Sequence, residues 1–382
     1  MSVLVIGGGI SGLACAYRLN QLGINVRLLE KQDHVGGVVQ SEAMAGFHFD
    51  LGPQSFLSSD AILRLVAELG LDSEMVQANP RAPRYIYFNG GLHPAPMSPP
   101  AFLKTPLLCG RTKRRILTEP LHKSRPPEAD ESVAAFARRK FGDDLLSNLL
   151  GPFVSGVYAG DPERLSLRSA FPSAHQWELG HGSVIRGAMK AQPGQGRPRP
   201  VLTSFRGGLQ TLMRGLAAAL AGRIATGVEV CRVRPITGSE FEVHTRGRNG
   251  NVAGSRATAV VFATPAYVSS RLLGEISPAA AGAMGRIEYA PVAVVNLGYR
   301  REHVAHPLDG FGFLAPRTQG LRILGTIWNS SLFPGRAPQG MVSLTSFLGG
   351  ATDPALLDLS DDAIVQIAAA ENARVLGITG AP

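Results

Sequence analysis

The feature that most restricts how this chain can fold is its opening stretch, "VLVIGGGISGLACAY", residues 3–17 of 382. A β-branched run at 3–6 leads into Gly7-x-Gly9-x-x-Gly12, a helical pattern covers 11–23, and residues 26–29 form a second apolar run. Strand, glycine turn, helix and strand in that order predict a βαβ unit. Gly7 permits the tight turn, Gly9 lets backbone approach a pyrophosphate, and Gly12 lets the helix pack closely on the strand. Gly8, Ile10 and Ser11 complete the turn, so that the first N–H groups of the helix and its dipole face the phosphates.

A glycine motif alone is weak evidence, but here strand and helix stand on its two sides and Glu30 ends the second strand. An acid at that place bonds a ribose 2′-hydroxyl and disfavours a 2′-phosphate, which argues against NADP. NAD and FAD both remain open on these residues. His34-Val35-Gly36-Gly37-Val38-Val39-Gln40-Ser41 then adds a second glycine pair, implying another close backbone approach. This resembles the glycine doublet of the flavin amine oxidase superfamily, which goes with FAD. Lys31, Gly36, Gly37 and Val38 join Glu30 in the expected cofactor set. Members of that superfamily usually carry Arg where His34 stands, a departure that weakens one expected phosphate contact.

At 382 residues and 45% hydrophobic, the chain has enough material for two or more domains. Cys15, Cys109 and Cys231 lie far apart, so neither a zinc site nor a disulfide framework is expected, and a reducing cytoplasm is the simplest compartment. Met1-Ser2 runs straight into the first strand without a basic leader, and no apolar run reaches the ~18 residues of a spanning helix. The formal net charge of +9 is locally concentrated: Lys104, Arg111, Lys113, Arg114, Arg115, Lys123 and Arg125 share their stretch with one acid, Glu119. Such a cluster suits an anionic lipid surface. Nucleic acid is not expected, because no aromatic-basic module accompanies it.

Helices are predicted at 61–69, from an Asp130 cap through 132–136 to Gly142, at 209–220 and at 363–376. Residues 85–88, 89–91 and 92–93 predict a hairpin. Strands are expected at 228–233, 241–245, 257–263, 291–299 and 342–347, with Asn249-Gly250 as a turn. No period is visible from 110 to 130, and the Pro/Gly/Arg loop from Gln192 to Pro200 marks a plausible boundary.

Six later stretches resemble the flavin-dependent protoporphyrinogen oxidase family, which includes the bacterial coproporphyrinogen oxidases. They are "DLGPQSF" (50–56), "RYIYFNG" (84–90), "PFVSGVYAGDPERLSLRSAFP" (152–172), "SFRGGLQTL" (204–212), "GFGFLAP" (310–316) and "TSFLGG" (345–350). The resemblance runs nearly the whole chain. It implies an α/β protein: a discontinuous Rossmann-like FAD domain (1–80 and 201–270), an antiparallel-sheet substrate domain (81–100 and 271–382) and a helical, membrane-facing segment (101–200). It also implies roles. Gly52, Pro53, Gln54 and Ser55 would lie along the flavin, and the backbone of Val230 would hold the adenine. Arg84 would bind a substrate propionate, Leu314, Ile327 and Phe347 would sandwich the macrocycle, and Gly156 and Val157 would lie near the ring.

The reaction implied is hydride removal from a methine-bridge carbon of protoporphyrinogen IX or coproporphyrinogen III to the flavin, in haem biosynthesis. Oxygen would reoxidise the flavin and give hydrogen peroxide. A large apolar ring with carboxylate arms calls for a concave apolar pocket with few oriented polar groups, and an arginine fork suits a carboxylate. Because the cofactor does the hard step, no protein residue is singled out as catalytic, and no metal site is expected. Possible partners are a peripheral site on the cytoplasmic membrane face, the next enzyme of the pathway and a second copy of the chain. The rivals are another flavin amine oxidase or a carotenoid desaturase, and a flavin-binding protein without turnover. The last arises because nothing after 363–376 resembles the family's final FAD segment, so weak FAD binding and poor turnover are expected of the chain as written.

Overall fold

The computed structural model describes residues 2–191, 200–236, 238 and 240–382, so most of the loop expected at Gln192 to Pro200 lies outside the described residues. The chain divides into two compact units, Met1–Gln77 with Pro200–Tyr289 and Ala78–Arg199 with Ala290–Pro382. This division differs from the three segments expected: residues 271–289 go with the first unit, and the helical stretch 101–191 goes with the second.

In the first unit a parallel sheet has the order Ile224–Ala225, Asn25–Leu29, Ser2–Ile6, Ala259–Phe262. Both faces of the central strand are covered, which is why residues 3–6 read as an unbroken apolar run rather than an alternating one. Val3 and Val5 pack with Leu13, Ala16, Phe205 and Leu216, from helices Ile10–Gln21 and Gln210–Ala219 and the strand Leu202–Phe205. Leu4 and Ile6 pack on the other side with Val233, Val243 and Ala257. Those three belong to an antiparallel sheet of Val228–Ile236, Glu240–Gly247 and Val252–Ala257, with the Asn249-Gly250 turn between the last two. The single strand expected at 257–263 is therefore two, and they lie in different sheets.

The second unit is built on a six-stranded sheet in the order Val292–Arg300, Met341–Gly349, Ile323–Trp328, Gly312–Leu314, Arg84–Phe88, Gly91–Pro94. It was expected to be antiparallel, but Gly312–Leu314 and Arg84–Phe88 pair in parallel. They come from distant parts of the chain, so no hairpin forces them to run in opposite directions. One face carries Val295, Leu297, Tyr299, Leu344, Leu348 and Trp328 and packs on helix Asp361–Leu376 through Ile364, Ala368 and Leu376. Asn372, fully buried on that helix, accepts from the Thr326 hydroxyl and donates to Ser346 Oγ and the Ala368 carbonyl, so its amide is satisfied where the helix meets the sheet.

The helical stretch between differs in detail from the sequence reading. Helix Gly110–Thr118 lies where no period was visible: its exposed face carries Arg111, Arg114 and Leu117, and only Thr112 is buried. The helix expected to start from Asp130 is Val133–Lys140, capped by Ser132, whose hydroxyl accepts from the Ala135 N–H. A buried charge network ties these helices. Lys140 Nζ lies 2.7 Å from Glu119 and 3.4 Å from Glu178. Arg139 forks onto Glu178 with two bonds of 2.8 Å and onto Glu131 with 2.6 and 3.1 Å. Among the described residues no helix is long and apolar enough to cross a membrane.

Candidate cofactor site and substrate wall

Gly7 has φ +104°, and a Cβ there would lie 2.7 Å from the Ala263 carbonyl oxygen, so both turn geometry and space demand glycine. A Cβ at Gly12 would come within 1.9 Å of the Gly7 carbonyl oxygen, which is the close helix–strand packing expected of it. Gly9 is different. It caps helix Ile10–Gln21 with φ −70°, a conformation open to any residue, and a Cβ there would touch nothing within 4 Å. Protein packing therefore does not explain Gly9; its glycine leaves the space in front of the first helical N–H groups free.

The second glycine pair is built onto the first. Gly36 forms a parallel bridge with Gly9, and its N–H donates to the Gly8 carbonyl at 2.8 Å. Gly36 and Gly37 have φ +116° and +58°, and a Cβ on Gly37 would lie 3.4 Å from the Gly9 Cα. Glu30 accepts from the Gly8 N–H at 2.6 Å and the Gln32 N–H at 2.8 Å, which holds the carboxylate beside the turn with lone pairs to spare. Gly8 leaves room for this, since a Cβ there would lie 2.9 Å from a Glu30 oxygen. Ile10 and Ser11 lie exposed in the first turn, as do Lys31 and Val38 on the neighbouring loop. His34 is also exposed, 3.9 Å from Asp33, whose carboxyl is held below its usual range by its bond to Arg248.

The Glu30 carbonyl accepts from the Val228 N–H, which brings the strand carrying Val230 alongside. The register slips between Val230 and Arg232, a bulge that leaves Cys231 as the extra residue. Asp50, quoted in a motif but given no role, is buried and ties two motifs together. It accepts from the Ser41 hydroxyl at 2.5 Å and from the Leu209 N–H at 2.9 Å, at the start of helix Gln210–Ala219. Gly208 has to be glycine, because a Cβ would lie 2.7 Å from that same Asp50 oxygen. Gln54 turns its side chain back, donating to the Asp50 and Gly52 carbonyls, and so shapes the Gly52–Ser55 loop. A Cβ on Gly52 would lie 2.1 Å from the Val38 carbonyl oxygen, so this loop packs against the glycine-pair loop; Pro53 and Ser55 complete it.

The substrate-side residues belong to the second unit, and register decides which way they face. Phe347 pairs with Gly325, and Gly325 with Leu314. Thr345 pairs with Ile327, Ile327 with Gly312, and Gly312 with Arg84. Directly paired residues point to the same side, so Phe347, Leu314, Ile327 and Arg84 share the face opposite helix Asp361–Leu376. Within their strands Leu314 and Ile327 are the only residues not fully buried, as is Phe347 apart from the end residue Met341. Glycines stand between them, a feature the sequence reading missed. Gly312 has φ +142°, and a Cβ on Gly325 would lie 2.6 Å from the Phe313 carbonyl oxygen. Arg84 is exposed, its guanidinium 5.2 Å from the Phe311 ring centroid, with no carboxylate partner among the described residues. Gly156, on helix Gly151–Tyr158, meets the same face: a Cβ there would lie 2.3 Å from Leu314 Cδ2. Val157 is exposed beside it. No group of side chains suited to a metal occurs among the described residues.

Paired glycine loops with an acid beside them, and a partly exposed apolar wall, fit a dinucleotide-dependent oxidoreductase. Residues 10–382 match the family of flavin containing amine oxidoreductases, and the chain belongs to it; its cofactor is FAD. The chain is 34% identical over 401 residues to spinach (Spinacia oleracea) chloroplastic protoporphyrinogen oxidase 1, covering 98% of this chain and 71% of that protein. It is 30% identical to the coproporphyrinogen III oxidase of Bacillus subtilis (strain 168), covering 100% of this chain and 84% of that protein. A solved structure from Exiguobacterium sp. 255-15, provisionally assigned as a protoporphyrinogen oxidase, superposes with TM-score 0.84 at 26% identity, covering 100% of this chain and 84% of that one. The fold is shared more widely: cyclohexylamine oxidase from Brevibacterium oxydans IH-35A gives TM-score 0.69 at 18% identity, covering 98% of this chain and 81% of that one.

Proposed function

We propose that this protein oxidises a porphyrinogen, protoporphyrinogen IX or coproporphyrinogen III, to the porphyrin. The observation that carries the reading is the face of the second unit's sheet that bears Leu314, Ile327 and Phe347. Three separated apolar residues stay partly exposed there, with glycines between them and, at one side, an arginine that has no carboxylate partner among the described residues. A broad, mostly apolar ring with carboxylate arms matches that surface. Leu314, Ile327 and Phe347 contact the ring, and Arg84 binds a propionate through its planar fork. Gly156 lets its helix backbone approach the ring's edge, with Val157 beside it.

Gly9 leaves the space for the pyrophosphate, the helix N-terminus and the Gly36-Gly37 loop face it, and Glu30 accepts from a ribose hydroxyl. The backbone of Val230 supports the adenine, and the Gly52–Ser55 loop runs along the ring system. When bound, FAD supplies the hydride acceptor for the methine bridge, with oxygen as final oxidant and hydrogen peroxide as by-product. Exposed Leu117 and Leu121, with Arg111 and Arg114 close by, suit docking on an anionic lipid face. The test is formation of fluorescent porphyrin from each porphyrinogen by FAD-loaded protein, with peroxide measured in parallel. No product from either substrate would overturn the reading.

A further inference from the structure

The helix that carries Gly156 is not uniform. The α-helical turn Asp143–Leu145 runs into a π-helix, Leu146–Leu150, and then into helix Gly151–Tyr158. The Gly151 N–H donates to the Leu146 carbonyl, five residues back. Gly151 suits this close approach, since a Cβ would lie 2.7 Å from that same oxygen. Pro152 supplies the cause. It has no N–H to give, and in a continuous α-helix its ring would collide with the carbonyl four residues back, that of Asn148. Widening the turn avoids the collision.

Both ends of this irregular helix are fixed. Asp144 accepts from the Cys109 N–H at 2.7 Å and from the Thr112 hydroxyl. Buried Asn148, inside the π-turn, donates from its amide to the Leu107 carbonyl at 2.8 Å. At the far end Ala159 is left-handed (φ 49°), and its carbonyl accepts from the Ala351 N–H at 2.8 Å, just beyond the strand that carries Phe347. A π-turn holds one residue more than an α-helical turn, so every later side chain is shifted by one position, about 100° around the axis. Without the extra residue, the place of Gly156 would be taken by Ser155.

We propose that the π-turn sets the fit of the substrate wall: Pro152 opens it, Asn148 pins it, and together they bring a residue without a side chain onto Leu314. Both are positioning residues: each is buried and acts through the helix that carries Gly156. The proposal rests on Leu314 being part of a porphyrinogen site. Straightening the helix would drive the Ser155 Cβ into the position where a Cβ now comes within 2.3 Å of Leu314 Cδ2. Leu314 would have to move toward the space meant for the ring.

The test uses the FAD-loaded full chain and a porphyrin product as probe, with binding followed by fluorescence quenching. Circular dichroism and bound-flavin absorbance report the fold. Pro152→Ala is expected to weaken porphyrin binding by at least ~10-fold, as overpacking of a tight contact does. Pro152→Ala combined with deletion of Ser147 removes the surplus residue, restores the phase in a straight helix, and is expected to bind within ~3-fold of the parent. Pro152→Ala with Ser155→Gly is expected to recover binding too, by returning a glycine to Leu314. Parent-like binding by Pro152→Ala alone, or no recovery in either double variant, overturns the proposal. Both double variants failing to fold overturns it as well, because a purely structural π-turn predicts that outcome. A parent protein that binds no porphyrin would instead sink the substrate reading, and this inference with it.

Discussion

Gly9 and Gly12 stand three residues apart in one motif, and the structure gives them different reasons to be glycine, so Gly9→Ala and Gly12→Ala should fail differently. At Gly9 a methyl group meets no protein atom within 4 Å, and φ −70° suits alanine. The remaining cost is the poorer helix cap, which keeps the apoprotein within about 1 kcal/mol of the parent. With the pyrophosphate in its proposed place the methyl would stand in its path, and overpacking there should cost about 1–3 kcal/mol of binding, or roughly 5- to 150-fold in Kd for FAD. At Gly12 the methyl would sit 1.9 Å from the Gly7 carbonyl oxygen and 3.3 Å from the Ala263 side chain. Neither backbone can yield without opening the strand–helix junction, so the loss falls on the fold, at about 3 kcal/mol or more. Thermal melts of the apoproteins and titrations with FAD separate the two effects. A Gly9→Ala protein that keeps parent affinity for FAD, or that melts as early as Gly12→Ala, would refute this division of roles.

Arg84→Ala should raise KM for a porphyrinogen well above its effect on kcat, since the carboxylate contact holds substrate and transition state alike; unchanged kcat/KM would remove the propionate role. The buried Glu178 carboxyl is pushed up by burial, but the Arg139 fork, the Ser124 hydroxyl and the Lys140 charge outweigh that and hold it down to about 2. A folded pKa below the ordinary 4.5 adds stability above that value and loses it as pH falls toward 2, about 3 kcal/mol in all. Acid melts of the parent should therefore steepen in that window and flatten in Glu178→Gln. Asp50→Asn should weaken the start of helix Gln210–Ala219 by about 1 kcal/mol, read as a lowered melting temperature, because a carboxylate there accepts from both Ser41 and the Leu209 N–H. Leu117→Ser with Leu121→Ser should lower sedimentation with vesicles of anionic lipid, and neutral vesicles should show little binding by any version.

The geometry of the two glycine loops was largely legible because its constraints are local. Gly7 and Gly12 lie within one βαβ unit, and Glu30 and the Gly36-Gly37 pair on the loop that follows it, where spacing translates directly into geometry. The hairpin at 84–94 and the helices at 60–68 and 361–376 were likewise visible from turn residues and periodicity. What escaped depends on pairing between distant segments. Arg84 lies beside Gly312 only through a parallel joint across more than two hundred residues, so neither the shared face nor the glycines between its apolar residues is written in any one stretch. Helix Gly110–Thr118 was hidden because only Thr112 is buried and most of its surface is charged. Two of its basic residues also serve the fold: Lys113 donates to the Leu103 and Thr105 carbonyls, and Arg115 to that of Arg139. Asp50 showed no period or pairing motif, and its partner at Leu209 is known only once the chain is folded. The π-turn could have been suspected from Pro152 inside an apolar helical pattern, but a kink or a break would have given the same signal.

The reading under test is that this protein oxidises a porphyrinogen, with the second unit's sheet face as the substrate wall and the first unit's glycine loops as the FAD site. The most direct measurement is porphyrin fluorescence over time with purified, FAD-loaded protein and anaerobically prepared porphyrinogen, on admission of air. The account predicts product from at least one of the two porphyrinogens at a rate proportional to enzyme, with peroxide accumulating, and a sharp loss in Phe347→Asp, which places a charge on the wall. Porphyrin forming no faster than in buffer, or at the same rate with Phe347→Asp, would contradict it.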